Sequence, residues 1–379
     1  MFRVLLFAAV ILVILGLYFG LPWWFLVFAG ADWPKSVKVT GTVLFAAGAV
    51  LLPVMMYLGH GRQMDWAARF GDALLGIVGV LFAWSLLGNV LRLILWVFKV
   101  PDPARARIVV VAVLTVTCLL LGWGYQEAMR IPRVRHVDIA IPQLAPGLDG
   151  TRIVLLTDTH YGPIDRAEWS RKVIDVVNTL DADIVCHTGD IADGSVNRRR
   201  EQAAPLASAQ ARLARVYVTG NHEYFGEPQA WLDHMTELGW ESLHNRHILV
   251  TRGGDQLVIA GIDDRTARQS GRPGHGADVN AALRGVDPEL PVLLLAHQPK
   301  QITQAVAAGV DLQISGHTHG GQIWPFHYLV RLDQPVVQGL SGHGERTQLY
   351  TSRGTGFWGP PFRIFAPSEI SLLTLRRAS

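Results

Sequence analysis

Cysteine is nearly missing from this chain: Cys118 and Cys186 are the two among 379 residues. One lies in a long apolar run and the other in a short strand-like one, which excludes a disulfide framework and a cysteine-built zinc knot. Charge is also scarce. Asp, Glu, Lys and Arg make up 17% of the residues while half are hydrophobic, a low share for a soluble protein. The net charge is only +3, and Arg198-Arg199-Arg200 is the one compact basic run near the polar motifs described below, so an extended nucleic-acid footprint is not expected. No internal repeat and no low-complexity segment interrupts the chain.

The shortage of charge is concentrated in the first third. Val4 to Ala31, Val39 to Gly59, Ala73 to Leu91 and Ile108 to Tyr125 carry no charged residue. A helix needs roughly 20 apolar residues to cross the hydrocarbon layer, so these runs read as four transmembrane helices. Trp23, Trp24, Trp33, Trp66, Trp96 and Trp123 lie at or near their ends, where indoles prefer the interface. Buried core helices would carry polar stripes, and these runs carry few. Ala29-Gly30-Ala31 resembles a signal-peptidase site, but the apolar run before it is about twice the usual signal-peptide core; it is read as a retained helix. An even number of spans puts both termini on one side, with Arg3, Arg62, Arg69, Arg130, Arg133 and Arg135. The other side holds Lys35, Lys38, Lys99, Arg105 and Arg107. The positive-inside rule is nearly balanced on these numbers. The expectation is a multi-pass protein of the cell (inner) membrane, its C-terminal part on the cytoplasmic side by that narrow margin.

Composition changes at about residue 126. Residues 1–126 form the expected four-helix transmembrane domain, 127–150 a linker with an edge strand, and 151–379 an α/β domain. Short buried runs at Ile153–Thr157, Ile184–His187, Val216–Thr219, Leu257–Gly261, Val292–Ala296 and Leu312–Ser315 suit central strands covered on both faces. Leu349–Ser352 and Ile370–Leu375 close the set. Helices are expected at Arg166–Leu180, Asn197–Leu213, Pro228–Leu238 and Lys300–Ala308, and a hairpin over His247–Gly261.

Five of these strands end in groups that bind cations. The first is followed by Asp158-Thr159-His160, the second by Thr188-Gly189-Asp190, the third by Gly220-Asn221-His222-Glu223. His297 follows the fifth, and the sixth runs into Gly316-His317-Thr318-His319. In open α/β sheets the C-terminal edge of the strands is where ligands bind. Asp, His and Asn without cysteine suit one or two catalytic divalent ions with open positions. In extended backbone, residues two apart point the same way, so the pairs Asp158/His160 and His317/His319 are expected to converge. Singly, each residue has a plainer reading: Asp158 or Asp190 as a helix cap, Asn221 as a turn residue, His297 as a satisfied core histidine. Jointly these require five coincidences at one sheet edge. His187, His234, His244, His247, His275, His327 and His343 lack such support and read as structural or surface groups.

The series D-x-H, G-D, G-N-H-E, a lone H and G-H-x-H, all present and in order, resembles the calcineurin-like metallophosphoesterases. The GHTHGGQ form (316–322), with Tyr350-Thr351-Ser352-Arg353-Gly354-Thr355-Gly356 and Ser368-Glu369-Ile370, resembles their membrane-associated bacterial branch. The resemblance covers about residues 150–379 and departs at Thr159, where Leu or Ile is common. It implies a two-sheet β-sandwich flanked by helices and a metal-dependent phosphoric ester hydrolase. It also implies two divalent ions, Mn²⁺, Fe or Zn²⁺. One ion would be held by Asp158, His160, Asp190 and His319, the other by Asp190, Asn221, His297 and His317, with Asp190 bridging. His222 would be catalytic, protonating the leaving alkoxide or binding a phosphoryl oxygen.

Such a site specifies phosphoester hydrolysis without naming the ester; a phosphodiester or pyrophosphate bond is expected. The membrane segment favours a phospholipid or lipid-linked nucleotide. Two aromatic stretches, Trp324-Pro325-Phe326-His327-Tyr328 and Phe357-Trp358-Gly359-Pro360-Pro361-Phe362, would form an apolar rim if exposed. The alternatives are an anchored hydrolase of soluble phosphoesters or nucleotides, and an inactive membrane scaffold, which the complete ligand set disfavours.

Overall fold

The computed structural model describes residues 2–142 and 144–378, with side chains described from Leu12 onward. It divides into two compact units: Met1–Glu127 with Gly359–Ile364, and Ala128–Trp358 with Phe365–Ser379.

The first unit is helical: α1 (Phe2–Trp23), α2 (Lys35–Met56), α3 (Asp65–Val97) and α4 (Asp102–Met129). Helices α1 and α2 each run on into a wider turn, Trp24–Phe28 and Tyr57–Gly61. Among the described residues, Lys35–Gly61, Asp65–Val97 and Asp102–Met129 are long and apolar enough to cross a membrane, and Leu12–Phe28 is a shorter apolar helix. Helices apolar on all sides bury no single stripe, and small residues set their approach. A Cβ on Gly59 would collide with the Ala68 backbone, and one on Gly88 with Val113. Arg107 lies over Trp33 at 5.5 Å and its Nε donates to the Ala31 carbonyl at 3.0 Å. The segment Gly359–Ile364 belongs to this unit. Phe362 packs on Gly76, and the Arg363 amide donates to the Gly124 carbonyl at 2.9 Å.

The second unit contains two six-stranded sheets. The first has the order β1 (Arg133–Ile141), β12 (Glu369–Arg377), β2 (Arg152–Leu156), β3 (Ile184–His187), β4 (Ala214–Tyr217), β5 (Glu241–Ser242). The second runs β10 (Gly339–His343), β11 (Thr347–Thr351), β9 (Leu312–Ser315), β8 (Val292–Leu295), β7 (Asp255–Gly261), β6 (Arg246–Arg252). Within each sheet the central strands are parallel, β2 to β5 and β7, β8, β9, β11.

Alternate residues build the layers. Ile153, Leu155, Ile184, Cys186, Ile259, Leu293 and Ile314 share the core that both sheets contribute to. Val154, Leu156 and Val185 face a second core under α5 (Ala167–Asn178), α6 (Val196–Ala203) and the helix Pro228–Glu237. Val258, Leu294 and Ala296 face a third. With both faces buried, the central strands read as unbroken apolar runs.

Two sequence expectations shift. The helix expected over Asn197–Leu213 stops at Ala203, where Ala204–Ser208 tightens into a 3₁₀ turn containing Pro205. Proline lacks the amide that would continue the helix, and its ring clashes with the preceding turn. The third strand covers 214–217, and Val218–Gly220 already belong to the loop.

Candidate metal centre

Strands β2, β3, β4, β8 and β9 hand over to loops that bring all seven sequence-predicted ligands together. His160 Nε2 lies 3.1 Å from His319 Nε2 and 3.6 Å from Asp190 Oδ2, and His319 Nε2 is 3.6 Å from Asp158 Oδ1. On the other side of Asp190, His297 Nε2 stands 3.2 Å from the same Oδ2, 3.1 Å from Asn221 Oδ1 and 3.2 Å from His317 Nδ1. Metal–donor bonds of about 2.1 Å put neighbouring donors of one ion about 3.0–3.4 Å apart. The separations are close to those edges, and Asp190 Oδ2 belongs to both groups.

The pairs converge by a different route from the extended backbone expected. Asp158 (φ 54°), His160 (43°), Asp190 (53°), His317 (71°) and His319 (50°) are all left-handed. Outside glycine that region is uncommon, with Asp, Asn and His its main tenants, and such strain concentrates at functional sites. Hydrogen bonds hold the turns. The His160 amide donates to the Asp190 carbonyl at 3.1 Å, and the His317 amide donates to Asp158 Oδ1 at 2.9 Å. The His222 amide donates to Asp190 Oδ1 at 2.8 Å, which turns Oδ2 toward the imidazoles. Gly220 and Gly316 are needed for space: a Cβ on Gly316 would collide with Asp158 Oδ2, and one on Gly220 with Asp190 Oδ1. His297 Nδ1–H donates to the Thr188 carbonyl at 2.8 Å, leaving the Nε2 lone pair for the cluster. Thr159 turns away, its Oγ1 bonded to the Ile191 carbonyl and to His187 Nε2.

The family model for calcineurin-like phosphoesterase matches residues 151–321. A transmembrane protein with metallophosphoesterase domain from Danio rerio is 39% identical over 71% of this chain and 63% of its own length. An uncharacterized metallophosphoesterase from Helicobacter pylori (strain J99) is 36% identical over 68% of each chain, and one from Aquifex aeolicus is 31% identical over 69% of this chain and 98% of its own. The chain belongs to the calcineurin-like phosphoesterase family. It spans about three fifths of the length of the Danio rerio and Bos taurus relatives.

Two further residues of this phosphoesterase domain support the site. Asp193 Oδ1 accepts from His222 Nδ1 at 2.6 Å and lies 3.0 Å from His160 Nδ1, so one carboxylate orients a ligand candidate and the catalytic candidate together. No sequence pattern marks it; it stands three residues after Asp190. Glu223 accepts the amides of Gly220 (2.6 Å), Asp190 (3.0 Å) and Ile191 (2.8 Å), tying the third block to the second.

The electrostatics favour cations. Burial opposes charge on Asp190, but His297 and His222 outweigh it and hold the carboxyl well below its usual range. Burial likewise opposes a charged His297, yet Asp190 lifts it to about 10. The field that draws a proton to His297 Nε2 is one that would draw a metal ion. His317, by contrast, is pushed down to about 3 by burial and by His297, and so presents a neutral imidazole. His222 rises to about 9, with Asp190 and Asp193 overcoming its burial. Its Nε2 stands 4.0 Å from Asp190 Oδ2, facing the ligand candidates without joining either group.

The aromatic stretches divide. Phe357 and Phe362 are buried, at 7% and 6% exposure. Trp358 is 42% exposed and Phe225 is 74% exposed, with ring centroids 6.1 Å and 5.1 Å from that of His222.

Proposed function

We propose that the protein is a membrane-anchored, dinuclear metal-dependent phosphoesterase. One ion would be held by Asp158, His160, Asp190 and His319, the other by Asp190, Asn221, His297 and His317. The observation that carries this reading is Asp190 Oδ2, 3.6 Å from His160 Nε2 and 3.2 Å from His297 Nε2, where a bridging carboxylate would stand. Two divalent ions there would supply charge neutralisation of phosphoryl oxygens and a water nucleophile at neutral pH; Mn²⁺, Fe and Zn²⁺ all suit these donors. His222 acts from beside the ligands. With Nδ1 on Asp193, its Nε2–H is placed to protonate the leaving oxygen or to bind a phosphoryl oxygen.

The ester is proposed to be a phosphodiester or pyrophosphate of a phospholipid or lipid-linked nucleotide, cleaved on the cytoplasmic side of the inner membrane. Its support is the membrane-length helices and the two exposed rings, Phe225 and Trp358, beside His222. The test is full-length protein in detergent, incubated with total lipid extract and Mn²⁺ and read by mass spectrometry. Metal-dependent conversion of one lipid class supports the assignment. Cleavage of soluble phosphodiesters or nucleotides with no lipid turnover overturns the lipid part alone.

A further inference from the structure

A second group of metal-ligating side chains lies at the end of β7, outside the donor set above: His244, Asp263 and His275, whose ligand atoms all fall within 4.8 Å of one another. From sequence both histidines read as structural or surface groups, and the three residues come from three separate loops. His244 follows β5, Asp263 follows β7, and His275 sits in the glycine-rich stretch Gly271-Arg272-Pro273-Gly274-His275-Gly276.

We infer that His244, Asp263 and His275 form a third, mononuclear site for a transition-metal ion, with Tyr224 Oη or water completing it. The donor chemistry sets the class of ion. Two imidazoles and one carboxylate suit Zn²⁺, Fe²⁺, Co²⁺ or Ni²⁺ and disfavour Mg²⁺ and Ca²⁺, which prefer oxygen. Asp263 is 1% exposed, and its side chain is oriented from behind: Oδ2 accepts the Gly276 amide at 2.8 Å and lies 3.4 Å from Asn245 Nδ2. Carboxylate ligands are commonly held by such hydrogen bonds. In front, His244 Nδ1 is 2.6 Å from Oδ1, a hydrogen bond that a bound ion would replace, and His275 Nδ1 is 3.8 Å from Oδ2. The second distance is too long for a hydrogen bond but short enough for one ion to span. The centroids of the two rings lie 4.7 Å apart. His275 Nδ1 is also 3.1 Å from Tyr224 Oη. The His244 side chain is 32% exposed, which leaves an entry path.

The position suggests a purpose. Between β7 and β8 the chain has only the short helical turns Arg265–Ser270 and Val279–Ala282. An ion held here would fasten that segment to the loop after β5 and, through Tyr224, to the turn that carries Asn221 and His222. It would fix structure beside the reaction centre and take no part in phosphoester cleavage.

The test counts metal in full-length protein purified in detergent, loaded with Zn²⁺, dialysed and measured by plasma mass spectrometry. His244→Gln and His275→Gln should each lose one ion per chain relative to wild type. Asp190→Asn should lose ions from the other centre and keep this one. If the dinuclear reading fails but this one holds, wild type carries one ion and the glutamine variants none. Wild-type metal content in both glutamine variants overturns the inference. Should those variants fail to fold, Co²⁺ decides. A chain carrying Asp190→Asn, His160→Ala and His297→Ala that retains one Co²⁺ with ligand-field bands of a nitrogen–oxygen site supports it, and one that retains none overturns it.

Discussion

Replacing Asp193 by alanine removes an acceptor that faces two imidazoles, His222 Nδ1 at 2.6 Å and His160 Nδ1 at 3.0 Å. A buried donor left without its partner costs about 1–3 kcal/mol. The Asp193 and His222 side chains keep 18% and 20% exposure, so water replaces part of the bond and the lower half of that range applies to His222. With about 1.4 kcal/mol per factor of ten, Asp193→Ala should slow hydrolysis about 10-fold through His222. Any loosening of His160 adds to this, since altered support of metal ligands typically costs about 10–100-fold. The pH profile separates positioning from general damage. Asp190 and Asp193 raise His222 against its burial, up to about 9. Without Asp193 the imidazolium gives up its proton at lower pH, so the basic limb of the kcat profile moves toward acid. Asp193→Asn keeps one acceptor oxygen but no charge and should shift the limb with a smaller rate loss. The assay is kcat against pH on a phenyl phosphodiester, with metal content measured alongside. A wild-type rate and an unmoved basic limb in Asp193→Ala would refute this role.

His222→Ala should lose about 10²–10⁴-fold in rate while keeping its metals; a p-nitrophenyl ester, whose leaving group needs no proton, should recover part of that loss. Metal content falling with activity would make His222 a ligand instead. Gly316→Ala should reduce bound metal, because the added methyl meets Asp158 Oδ2; unchanged metal content would show that the loop yields. Trp358→Ser with Phe225→Ser should weaken turnover of a lipid substrate and leave a small soluble phosphodiester nearly untouched. Equal losses on both substrates would remove the apolar rim from the account.

The strands that carry the site were legible because each is a short apolar run ending in Asp, Asn or His, and Ile184–His187 and Leu312–Ser315 fall on the residues expected. Backbone conformation was not legible. Asp158-x-His160 looks extended on paper, yet both residues are left-handed, a state set by hydrogen bonds to Gly189 and Asp190 far along the chain. The end of α6 was readable in principle, since Pro205 is visible in the sequence. Asp193 was hidden because one carboxylate three residues after another carries no pattern of its own. His244, Asp263 and His275 were hidden more deeply, being joined only when β5 and β7 place their loops side by side. The buried half of the aromatic stretch also needed the fold, because the chain leaves one unit at Gly359 and rejoins it at Phe365.

Asp190 is the residue that both halves of the proposed dinuclear centre would share. The direct measurement is Asp190→Asn in full-length, detergent-purified protein, with bound metal and phosphodiester hydrolysis determined on the same sample. Loss of hydrolysis together with loss of metal from the dinuclear site is the expected result. Wild-type turnover with a wild-type complement of metal would contradict it.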